Sequence, residues 1–438
     1  MAVPPETLGA RSPSLRERPS PCEFVTVDAG PSAGNSQMKA LLLISSGVFC
    51  AFSIWFVASA VLQPLKVEWG FSDVEGSFLT SVVNLGFCFG CFFSALLNLA
   101  DVFSAPALIL VGGLSAAVAN ASLLLVRGFW GALLMRCLVG LGLSLVYPPS
   151  VKLLSTWYSA DKRSAAMGFM FSFFCIGSAF PQLLNALATG YSWRLIVGLS
   201  SLLGAVASSM TYAFVETGPY PFPRGGFDAK AAYRLCRNRN VALSIVAYCG
   251  HQWELFCVWA WSAEFFEHIW GTSQQSAHMW AFVIISMGGP GSWLGGLLGD
   301  RYGRAMSALL MVSVSGLCTL VLGVLENHWP FAIWICICLL WGLTALADSP
   351  NYSALVILHA EQSNVGTAVS VQLFCGYLTT ILALWLVPML SAAWSWRWSL
   401  ASLSLGPALS VLALLLLRPR AKDVDKGSIK GPASSDAP

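Results

Sequence analysis

Charge is what this chain has least of. Of its 438 residues 10% are charged and 56% are hydrophobic, whereas a soluble domain carries about 25% charged residues. Water therefore cannot be the solvent for most of its surface. The sequence also lacks zinc-ligand spacing, a phosphate-binding glycine loop and any nucleophile–base constellation. Its polar stretches are too short for an enzyme domain or a nucleic-acid surface, so no enzymatic activity, metal, cofactor or nucleic-acid partner is expected. Residues 1–37, rich in Pro, Ser and Gly, lack the apolar core of a secretory signal and read as a disordered tail. Glu6, Glu17, Glu23 and Asp28 argue against an acid-poor transit peptide, although Arg11, Arg16 and Arg18 keep that option open. A secreted disulfide framework is excluded too: the thirteen cysteines are odd in number and eleven lie in apolar stretches. Cys88 and Cys91 form a C-x-x-C pair inside such a stretch, where small-residue helix packing is favoured over redox chemistry.

What is present is a series of long apolar runs. A bilayer core about 30 Å thick needs roughly 20 apolar residues per helical span, and backbone in lipid must satisfy itself within helices or closed barrels. The runs show no period-2 alternation, which predicts helices. Twelve spans are expected, at 39–64, 75–98, 104–126, 128–150, 164–189, 192–215, 241–266, 276–299, 305–325, 329–356, 364–390 and 395–417. The longest internal break, 216–240, divides an N-terminal half (38–215) from a C-terminal half (241–417), and a second polar tail covers 418–438. The fold class expected is an all-α membrane protein with six helices in each half, acting as a monomer. Placing both tails in the cytoplasm puts nineteen Lys and Arg inside and four outside (Lys66, Arg127, Arg194 and Arg397), with Arg136 alone within a span. Arg224, Lys230, Arg234, Arg237 and Arg239 mark the central loop, where Asp228 to Arg239 is expected as a short helix drawn to anionic lipid. Plasma membrane and organelle membrane both remain open.

The halves echo one another. Leu99-Ala100-Asp101 closes the second span and Leu298-Gly299-Asp300 the eighth; Ser192-Trp193-Arg194 opens the sixth and Ser395-Trp396-Arg397 the twelfth. A parallel repeat of six helices is one of the known transporter architectures. The run Gly295-Gly296-Leu297-Leu298-Gly299-Asp300-Arg301-Tyr302-Gly303-Arg304 resembles the G-x-x-x-x-D-R-x-G-R signature of the major facilitator superfamily. The resemblance implies twelve helices, solute transport, and a loop whose Asp300, Arg301 and Arg304 latch the cytoplasmic side in one transport state; the plain alternative is a positively charged inner loop. The first-half counterpart keeps Asp101, but Val102-Phe103-Ser104-Ala105 replaces the basic and glycine positions, which predicts a weaker latch. Arg136 with Gly140 resembles a second superfamily motif, R-x-x-x-G, which links the Arg to proton or substrate coupling. Gly177-Ser178-Ala179-Phe180-Pro181 does not match the antiporter motif of the fifth span, which favours symport or uniport. Tyr147-Pro148-Pro149, His251-Gln252-Trp253-Glu254 and Ala347-Asp348-Ser349 are similar to a bacterial-type subgroup of poorly defined substrate.

Ionisable groups inside a span are costly and mark candidate sites. At 1.5 Å per residue, Arg136 lies roughly 12 Å below the outer surface and Glu254 roughly 20 Å above the inner one, at nearly the same depth. By the resemblance, the first, fourth, seventh and tenth helices line the central cavity. The favoured expectation is that Glu254 accepts a proton and Arg136 binds substrate or couples to it. A carboxylate away from water holds its proton more readily, an opposing guanidinium releases it, and a substrate anion competing for Arg136 would couple the two. A permanent structural ion pair, or no contact, are the alternatives. His251, one turn from Glu254, either shares the proton or bonds a carbonyl. Asp348, in the breaker run Asp348-Ser349-Pro350-Asn351, marks either an ion site or a gate hinge. Glu264 is expected near the outer surface. Trp55, Trp253, Gln182, Gln372 and Tyr377 are candidate pocket-lining residues. The expected function is alternating-access transport of a small polar solute, an anion by preference, together with protons; a proton-independent uniporter and a transporter-like sensor or scaffold are the alternatives.

Overall fold

The computed structural model describes residues 31–70, 73–187, 192–223, 230–324 and 329–417. Residues 1–30 of the expected disordered tail (1–37), the C-terminal tail 418–438 and residues Arg224 and Asp228 of the central loop lie outside them, while 31–37 are helical. All regular structure among the described residues is helical. The first half comprises α1 (Pro31–Ala60), α2 (Leu62–Trp69), α3 (Asp73–Leu96), α4 (Leu99–Val102), α5 (Ala105–Ala121), α6 (Phe129–Leu143), α7 (Tyr147–Trp157), α8 (Arg163–Leu187) and α9 (Trp193–Phe214). A short connector, α10 (Ala231–Arg237), leads to α11 (Arg239–Trp270), α12 (Gln274–Tyr302), α13 (Arg304–Val324), α14 (Phe331–Ala345), α15 (Ser349–His359), α16 (Val365–Ala393), α17 (Trp396–Ser402) and α18 (Leu405–Leu415). Ten helical stretches among the described residues are long and apolar enough to cross a membrane. With α3 and α8 they make the twelve rods of an all-α membrane fold.

Three details differ from the sequence expectation. The first helix begins at Pro31 rather than 39, because proline at the first helical position is already set for the turn. The fourth and tenth spans are each broken: α6 stops at Leu143 and α7 restarts at Tyr147, and α14 stops at Ala345 and α15 restarts at Ser349. The cause is local, since Pro148 and Pro350 remove backbone donors at the restart. The twelfth span breaks between α17 and α18. The two broken spans run in register: Phe129 and Phe331, Leu143 and Ala345, Tyr147 and Ser349, and Trp157 and His359 bound equivalent helices, each 202 residues apart. This is a stronger internal repeat than the short tripeptide echoes.

The outer surface is apolar, with Phe89, Val118, Leu134, Leu202, Leu382 and Trp385 exposed as a lipid-facing shell. The halves meet along two helix pairs, α3 with α16 and α8 with α12, and both pairs approach closely. Gly168 brings α8 onto the backbone at Ser292, and Gly366 brings α16 onto the backbone at Ala100; a Cβ at either position would collide with the partner. Asn98 takes the left-handed conformation (φ 52°), which turns the chain from α3 into α4. That turn aims Asp101 back across the seam.

Candidate transport site and its latches

At one end of the molecule two carboxylates cross between the halves. Asp101, at the end of α4, accepts hydrogen bonds from the backbone N–H of Gly366 (2.8 Å) and of Thr367 (2.7 Å) and from the Thr367 hydroxyl (2.7 Å). It also pairs with Lys152 Nζ at 2.5 Å. Lys152 donates as well to Ala100 O (2.6 Å), and Asn98 donates to Thr367 Oγ1 (2.9 Å). Asp300, at the end of α12, accepts from the N–H groups of Ser164 (2.9 Å) and Ala165 (2.7 Å) at the start of α8. Arg304 donates to Ser164 Oγ (3.1 Å) and to Ala160 O. Each carboxylate thus sits on the positive end of a helix belonging to the other half. The cation that the first-half loop lacks comes from another helix, since Lys152 of α7 pairs with Asp101. Arg301, expected in the latch, lies exposed over the Tyr302 ring instead.

At the opposite face the contacts described stay within one half. Glu68 on α2 takes Trp193 Nε1 (2.7 Å) and Arg194 (2.5 Å), and Arg194 holds its carboxyl below the usual carboxylate range. In the second half Trp396 stacks on His268 at 5.0 Å. The repeated Trp therefore ties the start of α9 to α2 in the first half and the start of α17 to the end of α11 in the second.

Between these faces the second half buries a cluster of ionisable groups. Glu254, His251 and Asp348 are each 1% exposed. Glu254 Oε1 accepts from Ser315 Oγ on α13 (2.6 Å) and from Trp341 Nε1 on α14 (2.7 Å). One turn earlier on α11, His251 Nδ1 lies 2.8 Å from Asp348 Oδ1, and its Nε2 lies 2.7 Å from Ser349 Oγ. Asp348 occupies the break between α14 and α15, and its carboxylate faces the imidazole instead of capping its own helix. Tyr352, bonded to Ser410 (2.5 Å), closes the cluster beside the His251 ring.

Arg136 stands apart. Also 1% exposed, it donates to Ile54 O (3.1 Å), Trp55 O and Asn120 Oδ1 (3.1 Å). Asn120 in turn donates to Ser201 Oγ (2.9 Å) on α9. The guanidinium therefore ties α6 to α1, α5 and α9 of its own half. The expected Arg136–Glu254 pair is not formed, because each side chain is bonded within its own half.

The seam between halves is lined by rings. Tyr377 of α16 lies 5.5 Å from Trp55, 4.6 Å from Phe87 and 5.2 Å from Phe256. Trp259 of α11 meets Phe174 at 5.3 Å and Phe56 at 5.9 Å. Of the pocket candidates, Trp55 and Tyr377 lie in this seam. Trp253 packs against Gly406 of α18. Gln372 is fully buried, with no hydrogen-bond partner recorded for its amide. Gln182 lies outside the described side chains, and Glu264 is half-buried.

Sequence reasoning missed Lys152, Asn120, Ser315 and Trp341. Lys152 and Asn120 carried a signal, a cation beside a proline break and an amide in an apolar span. Ser315 and Trp341 carried none, because serine and tryptophan are common in membrane helices.

A sequence model of the Major Facilitator Superfamily matches residues 44–266 and 245–437. An uncharacterized transporter of Buchnera aphidicola is 24% identical over 171 residues, 38% of this chain, and the match spans 41% of that relative's length. The human organic anion transporter MFSD10 has a similar structure (TM-score 0.73, 14% identity), covering 87% of this chain and 99% of its own. So do the proton:xylose symporter XylE (0.69, 14%, covering 88% and 97%) and the E. coli fucose:proton symporter FucP (0.66, 13%, covering 88% and 100%). At these identities the likeness concerns the fold.

Proposed function

The chain belongs to the Major Facilitator Superfamily, and from that premise we propose that it is a secondary active transporter carrying a small polar solute together with a proton. The observation that carries the proton assignment is the cluster of Glu254, His251 and Asp348, sealed from water within one half. Charges in such a place are expensive unless they are used. Glu254 faces two neutral donors and no recorded cation, so its proton can come and go without breaking an ion pair. His251 and Asp348, one helical turn away, form the next site along the path. Solved structures of similar fold include two that are described as proton symporters.

Arg136 supports an anionic solute. No acidic partner is recorded for it among the described residues, so its charge leaves a positive potential in the first half. Its contacts run through Ile54 and Trp55 of α1, and α1 also supplies Trp55 to the seam. A solute charge felt by Arg136 is passed to α1. If the basic latch face is taken as cytoplasmic, the solute loads from the opposite side, because bonds between the halves close the latch face. Release then requires Asp101 and Asp300 to leave their helix ends, which separates α3 from α16 and α8 from α12.

A second reading, proton-independent uniport, is favoured by one observation: Glu254 already accepts two good hydrogen bonds, as a structural acceptor does. Glu254→Gln separates the two. Under symport the variant loses uptake driven by a proton gradient and keeps exchange of preloaded solute. Gradient-driven uptake at the wild-type rate would assign Glu254 to structure.

A further inference from the structure

Met38, Lys39, Leu42 and Leu43 of α1 and Met210 and Phe214 of α9 line a groove of about 580 Å³ on the outside of the bundle, within the range of about 300–1,000 Å³ typical of ligand pockets. Both of its walls are fixed to the end of α7, the helix that supplies Lys152 to the latch. Gln37 donates to Trp157 O (2.6 Å) and so holds α1. After Phe214 the chain folds onto the same turn of α7: Tyr220 N–H donates to Thr156 O (2.8 Å), Gly218 N–H to Thr156 Oγ1 (2.8 Å), and Trp157 Nε1 to Glu216 O (3.0 Å). Glycine is required at 218, since a Cβ there would stand 2.3 Å from Thr156 O. The groove is therefore a built feature at the latch end of the bundle, where apolar shell gives way to polar chain. Five of its six lining residues are apolar, and Met38, Leu42, Met210 and Phe214 are exposed. Lys39 is its single charge. The ammonium lies 5.3 Å from the Phe214 ring centroid, and no acidic partner is recorded for it among the described residues.

We propose that this groove holds an anionic phospholipid, with its headgroup phosphate against Lys39 and one acyl chain along Leu42, Leu43 and Met210. The occupant must answer two features at once, an apolar trough and an unpaired cation at its mouth. A lysine at the end of a membrane helix carries its charge to the headgroup level while its stem stays on apolar surface, which sets the ammonium where a phosphate lies. Methionines on both walls are unbranched and adapt to an irregular chain. A soluble anion would meet Lys39 but leave the trough bare. A zwitterionic lipid would fill the trough but bring its own cation beside Lys39. Anionic lipids are a feature of the cytoplasmic leaflet, the side to which positive-inside counting assigns the latch end. The groove lies apart from the acid cluster and the seam, so the proposal does not depend on the transport reading.

The test is photocrosslinking in the purified full chain with Leu42→benzoylphenylalanine, reconstituted in vesicles of equal phosphatidylglycerol and phosphatidylcholine, with adducts identified by mass. Phosphatidylglycerol adducts should exceed phosphatidylcholine adducts about fivefold, the preference that one lysine beside an anionic headgroup confers. Lys39→Gln should bring the ratio to about one while leaving the total lipid yield unchanged. The same probe in place of Leu340, on an uncharged stretch of α14 that is also exposed, should give a ratio of about one and so report the bulk bilayer. Excess glycerol phosphate, a headgroup without a chain, should change nothing. Where the Leu42 variant does not elute as a monodisperse species, Met38 on the same groove takes the probe. A ratio near one in the parent, a preference that survives Lys39→Gln or appears equally at Leu340, or displacement by glycerol phosphate would overturn the proposal. Adducts to a second copy of the chain or to residues 1–30 in place of lipid would overturn it as well.

Discussion

Asp101→Asn should open the latch face. Asp101 is buried and joins the halves through two backbone N–H groups and a hydroxyl of α16, while pairing with Lys152. Asparagine keeps the shape, loses the charge and turns a donor toward one of those N–H groups. Hydrogen bonds to a charged group contribute about 1.5–3 kcal/mol each, and two are lost or inverted. Lys152 recovers part of this, because its side chain is 12% exposed and keeps its bond to Ala100 O. The net bias toward the open state is about 3 kcal/mol, or roughly 150-fold in the open-to-closed ratio. Cys91 reports it: the thiol is fully buried on α3, the helix that packs against α16 across the seam. In a chain retaining Cys91 as its single cysteine, maleimide labelling requires the seam to part and its rate follows the open population. Asp101→Asn should label about a hundredfold faster than its parent. A rate within twofold, in protein that remains folded, would refute the latch argument.

Asp300→Asn should act in the same direction but less strongly, roughly tenfold in the same assay, because Arg304 keeps its bonds to Ser164 and Ala160. Gly366→Ala should mimic Asp101→Asn in labelling rate, since the new methyl meets the backbone at Ala100 in the closed state alone. Arg136→Lys, which replaces a fork reaching three acceptors with a single ammonium, should cost about 2–4 kcal/mol of stability, seen as a lower melting temperature in detergent. For Glu68 the carboxyl is held below its unfolded value by Arg194, so its contribution is present above the ordinary carboxylate pKa of about 4.3 and fades as pH falls through the folded value. The melting-temperature difference between the wild type and Glu68→Gln should be present at pH 7 and shrink progressively as pH falls below the ordinary carboxylate range.

The helices were legible because lipid leaves a chain few choices. Runs of apolar residues gave twelve rods, and the repeated Asp and Trp-Arg positions marked two halves. Rise per residue is fixed as well, and on that basis the sequence expectation put Arg136 and Glu254 at nearly one level. What depth does not give is the direction in which a side chain leaves its helix. Each residue turns the direction by about 100°, and the rotation of the whole helix is set by packing against neighbours that sequence does not reveal. Arg136 turned toward α1 and Asn120, and Glu254 toward Ser315 and Trp341, so the pair dissolved into two networks. His251 and Asp348 met because the break before Ser349 re-aims the chain; the proline announced the break but not its partner. Lys152 stayed hidden for a related reason. The loop after Asp101 lacks the expected basic residues, and the compensating cation lies fifty-one positions away on a different helix.

The most direct test is solute uptake by the purified chain in liposomes that enclose a pH-sensitive dye, under an inward proton gradient, with Glu254→Gln in parallel. Solute-dependent acidification of the lumen in the wild type, and its loss in Glu254→Gln with exchange preserved, is the predicted result. Labelled solute entering without acidification, or acidification that survives in Glu254→Gln, would contradict the account.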